Sequence, residues 1–510
     1  MQYNSGNRRL IFNTAALFLR MFIIMVLGFW ISRIAMDLLG LEDYGIFNVV
    51  TGIVLMLNFF LSSLVNASQR FFSVEIPRND KNKLGELVQI QIISFFVFGL
   101  LSFVAIELIG YYLLNNILSI PEYRLSSASI AMHLSAFMYL IQMVGVPFSA
   151  LLIAYERMTW YAVVGFVEIS IKIILVSGLY FVDTDKMIYY GIALLLSSLS
   201  AQVFYLYFAR KLIDISWFEF KFDKSRFKKL FSFIAWNSVG SMIWAFNQQG
   251  VNFLINVFFG PLANSAQAVG WQIANAITQF GSNVTTAFKP QIIMSYAEKD
   301  LQRMGRLMFA GSKYAFFLLL FISVPVFIST SYLLNLWLVE VPPYSGHIVM
   351  CLLVFCQIDI LVNPLFVAIQ ATGEIRNYIL VGGAVFLLNF PVSFLLLKLG
   401  LPLISLFISL SVFRFVYLFT AIIFVANRFQ ISFKSFISYL LMPALFVISF
   451  IFMAILLFLN YETVTFQDLF YKSIMALFFV ALAILLVGLN RKERNYLFTK
   501  IQVLNVRFNK

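Results

Sequence analysis

Fourteen long apolar runs follow one another along the 510-residue chain, and they limit its fold more than any other feature. Each run has about the 20 residues that an α-helix needs to cross about 30 Å of hydrocarbon. The runs are continuously apolar rather than alternating, which predicts helices and not a transmembrane β-barrel. The sequence therefore predicts an all-α polytopic membrane protein with about 14 transmembrane helices.

The basic residues indicate how these helices are oriented. The formal net charge is +13, but the basic residues lie in short loops between apolar runs, which argues against nucleic acid as a partner. With a cytoplasmic N-terminus, 28 of the 36 basic residues fall in cytoplasmic segments and five fall outside. Because cytoplasmic loops are enriched in Lys and Arg, both termini are predicted to be cytoplasmic.

The chain is predicted to contain two related lobes. At an offset of 220 residues, Leu39–Gly40 falls on Phe259–Gly260, each just after a span. At an offset of 217 residues, Pro147 falls on Pro364. Six spans separate the halves, so the lobes would share one orientation in a parallel pseudo-repeat.

The predicted division is as follows. Segment 1–209 forms an N-lobe of helices 1–6, and segment 230–428 forms a C-lobe of helices 7–12. The basic segment 210–229 is a cytoplasmic linker between them. Segment 429–510 carries two extra helices, 13 and 14, and a basic cytoplasmic tail.

Two consecutive runs, 230–258 and 266–288, carry amide and hydroxyl side chains at helical spacing. An unpaired amide in hydrocarbon is costly, so these faces should meet each other, other helices or water. Runs 1 and 2 are also polar, which favours a central water-filled cavity over amides that only join helices. Candidate substrate contacts are Asn58, Gln248, Asn252, Gln272, Asn275 and Gln279.

Several basic residues are further candidates for substrate binding. Arg20 lies in the middle of the first run, where a charge is expensive and tends to be functional. Arg70 and Lys289 end equivalent helices at the predicted cytoplasmic face, either as ordinary anchors or as a cationic mouth. Lys172 either pairs with Glu168, four residues before it, or faces the cavity.

Ion or proton coupling is assigned to Glu168, Asp359 and Arg414. Asp359 and Arg414 either pair with each other or serve substrate and proton separately. His133 is predicted to be a packed core histidine. The sequence shows no catalytic motif, no nucleotide-binding loop and no metal-binding spacing, so the chain is predicted to be a transporter without a cofactor.

Three segments resemble one family. The segment 39–48, Leu-Gly-Leu-Glu-Asp-Tyr-Gly-Ile-Phe-Asn, together with Arg20, looks like the opening of polysaccharide-unit (Wzx-type) flippases. Asn-Ala-Ser-Gln-Arg at 66–70 and Gln-Ala-Thr-Gly at 370–373, with Pro364 before it, are similar to the same family. The resemblance covers residues 1–428.

This resemblance implies alternating access and a lipid-linked oligosaccharide that crosses a bacterial plasma membrane for surface polysaccharide synthesis. It implies cationic residues for the pyrophosphate, Arg20 first, and an interior rich in Arg and Lys fits an anionic substrate. Membrane lipid, a polysaccharide polymerase and glycosyltransferases are the implied partners. The alternatives are a cation-coupled multidrug antiporter of the MATE type, a lipid II flippase, and a membrane glycosyltransferase or polymerase, which short outside loops disfavour.

The topology gives the first testable expectation. Both termini and the 210–229 segment should be cytoplasmic, because the opposite orientation would invert the 28:5 basic bias. Cysteine labelling from outside intact cells should leave position 224 unmodified. If a cysteine in place of Lys224 reacts with a reagent added outside the cells, this orientation is refuted.

Overall fold

The computed structural model describes residues 22–76, 81–155, 157–213, 224–456, 465–491 and 493–495. Within these ranges the regular structure is helical, and no strand occurs. The first nine helices are α1 (Phe22–Leu39), α2 (Leu41–Leu55), α3 (Asn58–Glu75), α4 (Lys81–Asn116), α5 (Leu125–Ala154), α6 (Met158–Ser177), α7 (Lys186–Arg210), α8 (Lys224–Phe259) and α9 (Pro261–Ala297).

The remaining nine are α10 (Leu301–Ile328), α11 (Thr330–Trp337), α12 (Ser345–Ala371), α13 (Arg376–Leu387), α14 (Asn389–Lys398), α15 (Ile404–Phe429), α16 (Phe433–Phe436), α17 (Met442–Leu456) and α18 (Phe466–Ala483). Turns of π-helix join α16 to α17 and extend α18.

In the described part of the chain, 11 helical segments are long and apolar enough to span a membrane, or up to 12 if the bent pair α2–α3 counts as one span. The all-α polytopic prediction is thereby confirmed. The difference from 14 lies in α8 and α9, the predicted seventh and eighth spans. They are 36 and 37 residues long, but amides and hydroxyls interrupt their apolar character. The count of 14 stays a prediction.

The chain divides into two compact units. The first contains residues up to Ala268 together with Trp337–Pro343, and the second contains Val269–Leu336 and the chain from Tyr344 onward. The boundary falls inside α9, whereas the sequence places a linker at 210–229. The helix pair α17–α18 packs on α10 within the second unit.

Both units contain the same helix packing. In the first, α4 packs on α5, α5 on α7, and α7 on α6; in the second, α10 packs on α12, α12 on α15, and α15 on α13. Pro147 in α5 and Pro364 in α12 occupy matching helices of the two sets. A tyrosine pair recurs as well, since the rings of Tyr161 and Tyr205 lie 5.7 Å apart and those of Tyr378 and Tyr417 lie 5.6 Å apart.

Two glycines of the first unit, Gly40 and Gly260, end helices in the same way. Gly40 after α1 has φ 82°, and Gly260 after α8 has φ 78°, a left-handed region that favours glycine. Each glycine N–H donates to the carbonyl four residues earlier, Met36 and Asn256 respectively. This arrangement closes the helix and redirects the chain into the next one.

A buried ion pair joins two helices of the second unit. Asp359 of α12 pairs with Arg414 of α15, and both residues are less than a tenth exposed. The Arg414 guanidinium also lies 4.5 Å from the centre of the Tyr417 ring. Of the two alternatives that the sequence leaves open, the structure shows that these residues pair with each other.

Removing one partner should test how much this pair stabilises the fold. Arg414→Ala would leave the Asp359 carboxylate buried without its cation, so the free energy of unfolding should fall by about 3–5 kcal/mol. Replacing both residues by Leu should recover most of the loss. Unfolding of the purified protein by denaturant would measure the effect.

Arg428→Ala, in the same helix, is the matched control. Arg428 pairs with Glu374 at the surface, where their side chains are 49% and 71% exposed. Loss of this pair should lower the free energy of unfolding by only about 0–1 kcal/mol. Equal destabilisation by the two Arg substitutions would contradict a special role for the buried pair.

Candidate functional site

In the second unit, one face of α9 packs closely on α12, and this packing defines the candidate site. Gly270 and Gly281 lie against α12, because a Cβ at Gly270 would be 2.7 Å from Ile348 Cγ2 and one at Gly281 would be 2.9 Å from Ile360 Cδ1. The Trp271 ring meets Phe355 edge to face at 5.8 Å. Small residues thus let α9 approach α12 closely, which fixes the face of α9 that is buried.

The opposite face of α9 is polar and accessible. Gln272, Asn275, Gln279, Asn283 and Thr286 recur every three or four residues, which places them on one side of the helix. Asn275, Gln279 and Thr286 are exposed, and Gln272 and Asn283 are half-buried. Close packing of the glycine face therefore leaves a continuous amide and hydroxyl face outward.

This face differs from the exposed faces of the other long helices. On α4, for example, the exposed side chains include Leu101, Val104 and Leu108. Such a surface is suited to hydrocarbon, whereas a row of amides there would lose its hydrogen bonds. The α9 face therefore requires water or a polar ligand next to it.

The amides at the junction of α8 and α9, in the first unit, are arranged differently. Asn264 Nδ2 donates to the backbone oxygen and to Oδ1 of Asn252, both at 2.7 Å, and Asn256 Nδ2 donates to Asn264 Oδ1 at 3.1 Å. Asn256 Oδ1 accepts from the Ser119 backbone N–H at 2.8 Å. These three asparagines are buried, and they hold the helix junction together.

Helix α2 packs directly on this junction. A Cβ at Gly45 would be 1.9 Å from the Pro261 carbonyl oxygen, and one at Gly52 would be 2.8 Å from Asn252 Nδ2. Asn252 Nδ2 also donates to the Asn48 carbonyl oxygen at 3.3 Å. At Asn252 the observed contacts are those of helix packing, and its role as a substrate contact stays a prediction.

The other predicted contacts lie in several places. Gln248 is half-buried in α8, Asn58 is exposed at the start of α3, and Lys289 is exposed near the end of α9. Arg20 lies outside the described residues. Arg70 lies in α3, but its side chain is outside the described part of the structure.

Two ionisable groups of the described spans, Lys172 and His133, each lie near a carboxylate. Lys172 is half-buried in α6 and interacts electrostatically with Glu168. The prediction that His133 is a packed core residue is wrong, because its side chain is 51% exposed and its Nδ1 lies 2.6 Å from Glu107 Oε2. The sequence did not place His133 beside Glu107, because the two residues lie on different helices.

A cluster of charges in the first unit was also missed. Arg124, just before α5, binds Asp43 of α2 at 2.5 Å and Asp185 at 3.1 Å. Asp185 also accepts hydrogen bonds from the first backbone N–H groups of α7. The sequence places Arg124 just before an apolar run, but it does not show which carboxylates of other helices lie next to it. In the described residues, no group of three His, Cys, Asp or Glu side chains could hold a metal ion.

The long apolar helices of the described residues are those of a multi-pass helical membrane protein. No family model matches the chain. The chain is 21% identical over 286 residues to the Uncharacterized membrane protein EpsK of Bacillus subtilis (strain 168). The aligned region covers 54% of this chain and 55% of EpsK. The chain thus spans about half the length of this curated relative.

Solved structures share the fold more completely. The inward closed conformation of lipid II flippase MurJ superposes with a TM-score of 0.70 at 10% identity, covering 93% of this chain and 98% of MurJ. The inward-facing conformation of a multidrug resistance MATE family transporter of the MOP superfamily gives 0.68 at 14% identity, covering 82% and 98%. The chain therefore has the helical fold that these transporters share.

Thiol labelling should separate the accessible polar face from the buried amides. In a background with Cys351 and Cys356 replaced by Ala, cysteines at Asn275 and Gln279 should react with a hydrophilic thiol reagent in membranes, because both positions are exposed on the polar face. A cysteine at Asn252 should not react, because that position is buried.

A cysteine at Leu101, exposed on an apolar face, is the control for lipid exposure. It should stay unmodified by the hydrophilic reagent, since thiols in hydrocarbon ionise poorly. Absence of labelling at both Asn275 and Gln279 would mean that the α9 face does not meet water.

Proposed function

We propose that this chain is a flippase for lipid-linked oligosaccharide. It moves undecaprenyl-pyrophosphate-linked repeat units across a bacterial plasma membrane by alternating access, for synthesis of a surface polysaccharide. The observation that carries this proposal is the exposed amide and hydroxyl face of α9, which extends from Gln272 to Thr286 along a helix of membrane-spanning length.

The chemistry of such a substrate suits this face. A lipid-linked saccharide can keep its apolar tail in hydrocarbon while its hydroxylated head crosses the membrane. Amide side chains both donate and accept hydrogen bonds, which matches sugar hydroxyls. Each substrate–amide bond would replace a bond to water, so the head could move along the face without a large desolvation cost.

The pyrophosphate requires cations. Arg20, Arg70, Lys172 and Lys289 are the proposed contacts, and charge-assisted hydrogen bonds to phosphate oxygens are the strong ones. Lys289 is exposed near the end of α9, beyond the amide face. Arg20 remains the first proposed contact by resemblance to Wzx-type flippases.

The pairing of carboxylates supports this proposal over a cation-coupled drug antiporter. A site for organic cations needs a carboxylate that is available to the substrate. Three carboxylates of the described spans are engaged by basic side chains: Glu107 is bound by His133, Asp359 is bound by Arg414, and Glu168 lies beside Lys172. The assignment of Glu168, Asp359 and Arg414 to ion coupling stays part of the proposal.

A triple substitution tests the role of the α9 face. Changing Gln272, Asn275 and Gln279 together to Leu removes three amides at positions that are exposed or half-buried, so folding should persist. Each lost hydrogen bond is worth about 1 kcal/mol, so surface polysaccharide should fall at least about tenfold at normal protein level. Quantification of extracted surface polysaccharide in a strain that depends on this chain measures the effect.

The matched control is Asn115→Leu with Asn116→Leu, two exposed amides at the end of α4. It should leave export unchanged. Normal export by the triple variant would remove the support for the proposal. Arrest of peptidoglycan synthesis with polysaccharide unchanged would indicate lipid II as the substrate, and altered drug efflux alone would indicate an antiporter.

A further inference from the structure

A ladder of cations and aromatic rings joins the start of α6 to the end of α7 in the first unit. The Arg157 guanidinium lies 5.2 Å from the centre of the Trp160 ring, which stacks on Phe208 at 5.0 Å. The Lys211 ammonium lies 6.0 Å from the Phe208 ring and 4.4 Å from the Tyr207 ring. We call these five residues the cation–aromatic ladder.

Two rings of the ladder pack against the buried core of the first unit. Trp160 and Phe208 pack on a buried apolar cluster that includes Phe148, Leu152 and Val164. The two cations, in contrast, are exposed. The rings thus hold the cations at fixed places on the surface, through attraction to their π faces.

Arg157 and Lys211 differ from two exposed cations that have carboxylate partners. Arg303 pairs with Glu298 at 3.4 Å, and Arg428 pairs with Glu374 at 2.7 Å. Across the described ranges, no carboxylate lies within ion-pair distance of Arg157 or Lys211. Two positive charges that are held on rings, with no carboxylate partner among the described residues, can accept an external anion.

An apolar stripe leads away from the ladder along α7. Leu196, Leu199, Val203 and Tyr207 are each about 40–60% exposed and recur at intervals of three or four residues. From Tyr207 to Leu196 the helix rises about 16 Å, which is about the hydrocarbon depth of one leaflet. The stripe is therefore long enough for one acyl chain whose headgroup lies at the ladder.

We propose that the ladder is a binding site for an anionic phospholipid of the cytoplasmic leaflet. Its phosphate would lie at Lys211, which is over the Tyr207 ring at the end of the stripe, and one acyl chain would follow the stripe on α7. Arg157, at the other end of the ladder, would add a second positive charge to the site. The basic bias of the sequence puts this end of α6 and α7 at the cytoplasmic face, where anionic lipids attract basic side chains. The site is independent of the proposed transport substrate.

Lipid titration tests the site on the purified full-length protein. Phosphatidylglycerol and, separately, phosphatidylcholine with the same acyl chains are added in detergent, and native mass spectrometry counts the bound lipid. The wild type should bind phosphatidylglycerol more tightly than phosphatidylcholine. Arg157→Gln with Lys211→Gln should weaken phosphatidylglycerol binding at least about tenfold and leave phosphatidylcholine binding unchanged.

Two further variants complete the test. Arg157→Lys with Lys211→Arg keeps both charges and should retain phosphatidylglycerol binding. Arg303→Gln with Arg428→Gln removes two cations that pair with carboxylates and should also retain it. The first variant shows that charge matters at these positions, and the second shows that a general loss of positive charge does not explain the effect.

Three results would overturn the proposal. The Arg157→Gln, Lys211→Gln variant could bind phosphatidylglycerol as tightly as the wild type does. The wild type could bind both lipids equally, which would indicate apolar contact alone. Millimolar inorganic phosphate could displace phosphatidylglycerol without dependence on its acyl chains, which would make the ladder a site for a free anion.

Discussion

The cost of placing a polar group in hydrocarbon without a partner governs this structure. Amides at the α8–α9 junction satisfy one another, and the carboxylates Glu107 and Asp359 are held by His133 and Arg414. The amide face of α9 is different, because it is accessible and not enclosed by other side chains. In a membrane, that face is stable only if water or a polar ligand meets it, which makes it the centre of the functional argument.

Small residues decide which faces become accessible. Gly270 and Gly281 bring α9 onto α12, and Gly45 and Gly52 bring α2 onto the α8–α9 junction. A Cβ at Gly45 would meet the backbone of Pro261, and one at any of the other three would have to displace a side chain of the neighbouring helix. Close approach therefore buries some amides of α8 and α9 and leaves others outward, although both sets are polar side chains within long apolar runs.

The evidence for the fold differs from the evidence for the substrate class. The helical arrangement is shared with MurJ and with a MATE family transporter at 10% and 14% identity, and likeness at that level concerns the fold alone. The substrate class must come from side chains, since one fold supports different functions. The proposed hydroxylated, anionic head rests on the amide face and on the engaged carboxylates.

The sequence by itself determined the class of structure, because the length and continuity of apolar runs leave few alternatives to spanning helices. It also aligned Gly40 with Gly260 at an offset of 220 residues, and both glycines end helices with a positive φ. Only the tertiary structure separated Asn252 from Asn275, and only it joined Asp359 to Arg414 and exposed His133 beside Glu107. Helical spacing states which residues share a face, whereas the partner of that face depends on how closely neighbouring helices approach.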